Sequence, residues 1–324
     1  MNLLIHTISL NHMHTYVSGS LAYDRISKFE GKFSNEILPE KIHDLNVSFY
    51  VESLNESFGG TAGNIAYTLG LLGENVSIFA TAGNDFLNYQ KWLSEHGVGT
   101  DLIVIDDSRR TAFASIVTDQ KENQITTFYA GAMLSPYPLA TLKIEPETSF
   151  VIIAPGNPTD MATLPKYCKE LNVPYMFDPG QQLAHLSGDV IAEGIEGSEV
   201  CISNEYEREL ILKKTGWDLK TLVTKTKMLV TTLGENGSEI HTQTGVITAP
   251  GIKVTIKDPT GAGDAYRAGF VYALNKGWGH EIIAKFANLV ACYTIEQSGT
   301  QTHSFTLEAL RERFLTTFNQ ALPA

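Results

Sequence analysis

The residues in this chain with the clearest chemistry are Asp258-Pro259-Thr260-Gly261-Ala262-Gly263-Asp264. The run after them, Ala265 to Leu274, is amphipathic and predicts a helix. A helix start presents unpaired backbone N–H groups and the positive end of the helix dipole, so it holds anions. Glycine lets the backbone come close to such an anion. A carboxylate at the same place would repel a resting phosphate, and the role that suits it is that of a base taking the proton from an attacking hydroxyl. Gly261, Ala262 and Gly263 as an anion cradle, with Asp264 as the base, are the parts needed to move a phosphoryl group onto an alcohol. Gly-x-Gly before a helix also describes an ordinary turn, so the spacing by itself leaves both readings open.

Four further strings bear on such a reaction. Gly59-Gly60-Thr61-Ala62-Gly63-Asn64 opens the second predicted helix and on its own reads as a flexible, capped turn. Asn64 both donates and accepts, which suits hydroxyl recognition. Asp24 follows the first predicted strand, at the carboxyl edge where α/β sheets bind ligands, and a carboxylate there accepts from two vicinal hydroxyls or caps a helix. Asn204-Glu205-Tyr206-Glu207 follows a predicted strand. Its oxygens suit a water-rich magnesium site, or the acids simply satisfy a helix dipole. Thr231-Thr232-Leu233-Gly234-Glu235-Asn236-Gly237 follows another, where Thr232 can bond a phosphate, Gly234 admits a nucleotide and Asn236-Gly237 can turn a hairpin.

Together these strings resemble the motifs of the ribokinase-like (PfkB) carbohydrate and nucleoside kinases, over nearly the whole chain from about Val17. The resemblance implies that Asp264 is the catalytic base and that the backbone of Gly261, Ala262 and Gly263 is the anion hole. It implies that Asp24, Gly59, Gly60 and Asn64 hold the acceptor sugar, and that Thr232, Gly234 and Gly237 lie against the donor, ATP. Asn288 then borders the donor adenine, and Asn204 and Glu207 hold magnesium through water. Asp258, Thr260 and Gly299 fall where relatives bind a monovalent cation such as potassium. Ser18 to Ile26, Asn123 to Tyr129 and Phe177 to Gln182, with the Asp258 to Asp264 string, resemble the bacterial and archaeal adenosine kinase-like branch. That implies ATP-dependent phosphorylation of the adenosine 5′-hydroxyl to AMP, in purine salvage.

The residues themselves support a nucleoside only modestly. A purine needs an apolar, π-rich slot, for which Phe113 and Phe128 are candidates, with Gln124 in reach of base or ribose. The same phenylalanines would also serve as the core of a small sheet. A sugar phosphate would call for a cationic clamp, and only Arg109-Arg110 and Lys121 are near. The alternatives are ribose, fructose, or another nucleoside (inosine, guanosine, cytidine). A non-catalytic nucleoside-binding protein is a further reading, although a pure binder has no use for Asp264.

Strand and helix patterns alternate along most of the chain. Continuous apolar runs such as Ser149 to Ala154 mark buried parallel strands. The expectation is a doubly wound, mostly parallel α/β sheet flanked by helices over residues 13–324. Two segments break the pattern, 25–58 and 111–130. Their short alternating runs, including 28–33, 47–51, 112–117 and 125–129, predict antiparallel strands forming a lid over the site or a fixed extension. Lid sheets in this family sometimes pair between subunits, so the resemblance allows a homodimer. The net charge of −12 argues against nucleic acid or an anionic membrane as partner. No apolar run approaches the roughly 20 residues that span a bilayer. The three cysteines, Cys168, Cys201 and Cys292, lack zinc-like spacing and suggest a reducing, cytoplasmic setting. Residues 1–12 are expected to be a disordered leader ahead of a start at Met13, with His6, His12 and His14 as surface histidines.

Overall fold

The computed structural model describes residues 13–323, so the expected leader lies outside the described residues. His14, grouped with the leader above, instead begins the first strand, its Nε2 3.0 Å from Ser77 Oγ.

Nine strands form the main sheet. Its spatial order is Gly245–Ala249, Ser238–Thr242, Met228–Thr232, Val200–Asn204, Tyr175–Phe177, Ser149–Ile153, His14–Ser18, Asn75–Ile78 and Val98–Gly99. All neighbours are parallel except at one end, where Ser238–Thr242 turns back against both of its neighbours. The first strand lies between Ser149–Ile153 and Asn75–Ile78, so the chain winds outward in both directions from it. Such a switch point leaves a crevice at the carboxyl ends of the strands.

The apolar runs are continuous because both faces of the sheet are covered. Phe150 and Ile152 join one core with Ile65, Phe270 and Phe286 from helices Thr61–Leu71, Ala262–Asn275 and His280–Ile295. Val151 and Ile153 point the other way, to a core with Met161, Ile191 and Ile211 from helices Pro158–Leu171, Gly188–Ile195 and Glu205–Thr215. Alternate residues of one strand thus go to opposite cores, as a doubly covered sheet requires.

A second sheet of four strands orders as Ser53–Gly59, Ala22–Lys28, Ala112–Thr118 and Gln124–Tyr129. Its outer pairings are antiparallel, while the middle pair, Ala22–Lys28 with Ala112–Thr118, is parallel. The later segment matches the expected strands. In the earlier one the run 28–33 leaves the sheet after Lys28, which ends strand Ala22–Lys28, and the run 47–51 is not a strand. Phe29, Phe33 and Phe49 cluster with ring centroids 5.0 to 5.9 Å apart, and the Phe33 N–H donates to Asp119 at 3.0 Å. An aromatic knot closing a long loop gives the same alternation of apolar and polar residues as a strand.

Candidate active site

Two helices carry the central contact. Helix Thr61–Leu71 begins after Gly60 and helix Ala262–Asn275 after Gly261, with φ of +87° and +81°. This left-handed backbone is open to glycine at little cost and turns the chain sharply into each helix. The first turns then face each other: Asn64 Nδ2 donates to Asp264 Oδ2 at 2.8 Å, across 200 residues of sequence.

A cleft of about 860 Å³ opens here, and its walls include Asp24, Gly60, Asn64, Gly261, Gly263 and Asp264. A second cavity of about 780 Å³ is bordered by Thr232, Gly234, Gly237, Asn288, Ala262 and Gly263. Gly263 borders both, so the start of helix Ala262–Asn275 forms the partition where two ligands would touch. The Ala262 N–H there donates to Pro259 O at 3.3 Å, while a helix start as such favours an anion.

Burial pushes the Asp264 carboxyl above its ordinary value, although Arg267 and the bond from Asn64 pull it down. Asp24 is also raised, by burial first and then by the charges of Asp258 and Asp264. Both are the environments of a carboxylate prepared to take up a proton. Beneath them Arg267 contacts Asp178, which is fully buried. Burial lifts Asp178 to about 6 despite that cation. The Arg267 guanidinium lies under Gly263, where a Cβ would meet its Nη1.

The second cavity fits a nucleotide. Ile252, Val254, Ile256 and Ala291 give it apolar walls, and Asn288 sits among them. The Asn288 amide donates to Pro250 O at 3.2 Å. Thr232 stands at the end of its strand, paired in register with Asn204. Gly237 lies where strand Met228–Thr232 turns into Ser238–Thr242, so the expected hairpin is present, and the same residue borders the second cavity. Asn204 and Glu207 form a reciprocal capping box: Asn204 Oδ1 accepts from Glu207 N at 2.8 Å and Glu207 Oε2 accepts from Asn204 N at 2.9 Å. Among the described residues no group of three or more His, Cys, Asp or Glu gathers around a point. The Asn204 and Glu207 side chains are thus both engaged in the helix cap, and neither residue lines either cavity.

Asp258, Thr260 and Gly299 do come together. The Asp258 carboxylate accepts from Thr260 N at 2.9 Å and from Gly299 N at 3.0 Å. Burial opposes its ionisation, but these bonds hold the carboxyl below its usual value.

Asp24 follows the first strand and lines the cleft, but it belongs to the small sheet, in strand Ala22–Lys28. Three expected residues sit elsewhere. Gly59 is not in the cleft wall; it abuts the Asp24 carboxylate, and its carbonyl accepts from Tyr89 Oη at 2.8 Å. Phe113 faces away from the cleft. Register aligns Asp24 with Ala114 and Ala114 with Phe128, so Asp24 and Phe128 share a face and Phe113 takes the other. There it lies 4.2 Å from the Arg25 guanidinium and 5.1 Å from Tyr129. Gln124 is exposed at the far end of its strand, opposite Thr118. Phe128, by contrast, lines the cleft and is 55 % exposed.

The cleft also holds His185, Met133 and Leu134, which motif reading passed over, and Gln182, which ended the string Phe177 to Gln182 without being given a role. Gln182 is 7 % exposed, and its Oε1 has no hydrogen-bond partner among the described residues. Its signal was positional, because it follows a buried strand at the carboxyl edge of the sheet. Arg267 had one as well, one helical turn beyond Asp264 and therefore on the same face.

Residues 35–307 match the model of the pfkB family carbohydrate kinases. The nucleoside kinase of Methanocaldococcus jannaschii is 32 % identical over 277 residues, covering 85 % of this chain and 91 % of that protein. Among solved structures, the nucleoside kinase of Burkholderia thailandensis in complex with inosine superposes with a TM-score of 0.83 at 32 % identity, covering 95 % of this chain and 99 % of the other. The crystal structure of the Methanocaldococcus jannaschii nucleoside kinase, described as an archaeal member of the ribokinase family, gives 0.83 at 30 % identity over 94 % and 99 %.

Proposed function

The chain belongs to the pfkB family of carbohydrate kinases, and from that membership we propose that it transfers the terminal phosphoryl group of ATP to the 5′-hydroxyl of a purine nucleoside, adenosine first. The observation that carries this reading is the shared wall at Gly263, with Asp264 on the acceptor side. Asp264 takes the proton of the 5′-hydroxyl as its oxygen attacks the terminal phosphorus. The bond from that phosphorus to the bridging oxygen breaks, and ADP leaves. The backbone N–H groups at Gly261, Ala262 and Gly263 meet the charge on the phosphoryl oxygens, the Ala262 N–H giving up its 3.3 Å bond to Pro259 O. Asp24 and Asn64 hold the ribose. Magnesium, when bound, neutralises phosphate charge.

A nucleoside is favoured over a free sugar by the size of the cleft and by its far wall. Phe128, Met133, Leu134 and Pro158 offer apolar surface to a flat base, beyond what a pentose alone would fill. The unpartnered Gln182 Oε1 calls for a donor. The adenine amino group supplies one once the Gln182 amide, whose oxygen is closed off from the cleft in this structure, turns outward. The N1–H of inosine or guanosine also does, which makes these the second reading. The relatives named as nucleoside kinases support the same choice.

The test is ADP release with adenosine, inosine, guanosine, cytidine, ribose and fructose at equal concentrations. Adenosine should give the highest kcat/KM, with ribose and fructose far lower. Faster turnover of a free sugar would refute the nucleoside reading.

A further inference from the structure

Behind the base lies a chain of buried polar groups in which every orientation is forced. Trp92 Nε1 donates to Gln301 Oε1 at 3.1 Å. An indole nitrogen only donates, so the Gln301 carbonyl must face Trp92 and its NH₂ must face the other way. That NH₂ donates to Asn64 Oδ1 at 3.0 Å and to the Tyr89 hydroxyl. Tyr89 accepts there because its own hydrogen goes to the Gly59 carbonyl. With Asn64 Oδ1 thus occupied, the Asn64 NH₂ faces Asp264. An amide has two nearly isosteric orientations, and here the choice traces back to a group that has none. Gln301 is 4 % exposed and Asn64 6 %, so a reversed amide would leave buried donors opposed. Space for the chain is kept by Gly63, where a Cβ would overlap the Tyr89 hydroxyl and come within 3.1 Å of Gln301 Nε2.

We infer that Trp92, Gln301 and Asn64 form an orienting relay for the base, and that Gln301 is a positioning residue of the phosphoryl transfer. This rests on the assignment of Asp264 as base. The relay always presents a hydrogen to Asp264 Oδ2, which steadies the ionised form and leaves the other oxygen to receive the acceptor proton. The charged and titratable groups around Asp264 are Arg267 on its own helix, Asp24 on the small sheet, Asp178 after strand Tyr175–Phe177 and Tyr89 on helix Leu87–Glu95. Trp92 and Gln301 are neutral, so replacing them by neutral residues alters orientation without altering charge.

The experiment compares Gln301→Met and Trp92→Phe, each alone and combined with Asp264→Asn, by kcat, nucleoside KM, the pH profile of kcat/KM and melting temperature. Gln301→Met should lower kcat on the order of tenfold, as expected for a hydrogen bond to a charged group. Its acid limb should move to higher pH, because Asn64 is then free to turn its oxygen toward Asp264. Nucleoside KM should rise by less than kcat falls, since Asn64 also touches the ribose, and Trp92→Phe should act in the same direction but less. In the Asp264→Asn background the same substitutions should leave the residual turnover unchanged, since the relay acts through the missing carboxylate. Equal losses in both backgrounds, or a folded Gln301→Met enzyme with normal kcat and acid limb, would overturn the relay. If Gln301→Met does not fold, unchanged kcat and profile in Trp92→Phe overturns it instead. Full turnover in Asp264→Asn alone would remove the base assignment and the relay with it. An inactive Asp264→Asn beside an unperturbed Gln301→Met removes only the relay.

Discussion

Replacing Asp264 with asparagine should move activity and stability in opposite directions. The side chain keeps its shape, and its amide oxygen still accepts from Asn64 Nδ2. What disappears is the basic oxygen. A positioned general base is worth about 10²- to 10⁴-fold, or roughly 3 to 5.5 kcal/mol of transition-state stabilisation, so kcat should fall by that factor with nucleoside KM nearly constant. Stability has the other sign. Burial raises the Asp264 carboxyl above 3.8 in the folded protein, against the pull of Arg267 and Asn64. The folded state therefore binds this proton more tightly than the unfolded chain, and stability is lost as pH rises from about 3.8 through the folded value. Asparagine cannot ionise and escapes that loss, at about 1.4 kcal/mol per unit by which the group is raised. The variant should melt higher than the parent near pH 7.5, and the gap should close toward pH 4. Steady-state ADP release and thermal melts at the two pH values measure both halves. Wild-type turnover would refute the base. A lower melting temperature at pH 7.5 would refute the argument that burial strains the carboxylate.

Other outcomes separate the remaining roles. Phe128→Ala should raise nucleoside KM several-fold to a hundredfold at nearly constant kcat, the range for losing an aromatic face against a base; Phe113→Ala should lower melting temperature with a much smaller change in KM. Gln182→Leu should lower kcat/KM for adenosine by tenfold or more while narrowing the gap to ribose, because a buried acceptor no longer selects for a donor. Burial pushes the Cys168 thiol up to about 12 and Cys292 to about 11, and Cys201 is raised as well. A colorimetric disulfide reagent at pH 8 should therefore titrate no thiol in the native protein and three after unfolding.

The sheet and the partition between the cavities were legible because their signals are local. A strand covered on both faces must be apolar at every position, and a loop-to-helix turn with two glycines and an acid is compact in sequence. Gly261 accordingly opens a helix, and Asn64 meets Asp264 from the start of another. What stayed hidden depends on long-range register. Nothing within the strand says which face of Ala112–Thr118 meets the cleft; its pairing with Ala22–Lys28 decides that, and so selects Phe128 over Phe113. Gln301 is silent in sequence for the same reason, since its partners lie 209 and 237 residues away. The runs 28–33 and 47–51 show the converse, where three phenylalanines obeyed a period of two while packing on one another.

Asp24 and Asp264 grip from different bodies: one is carried by the four-stranded sheet, the other by a helix on the nine-stranded one. The first cavity therefore takes its walls from both sheets, whereas every residue bordering the second comes from the nine-stranded sheet, its helices and their connections, so on the proposed reading only the acceptor bridges the two.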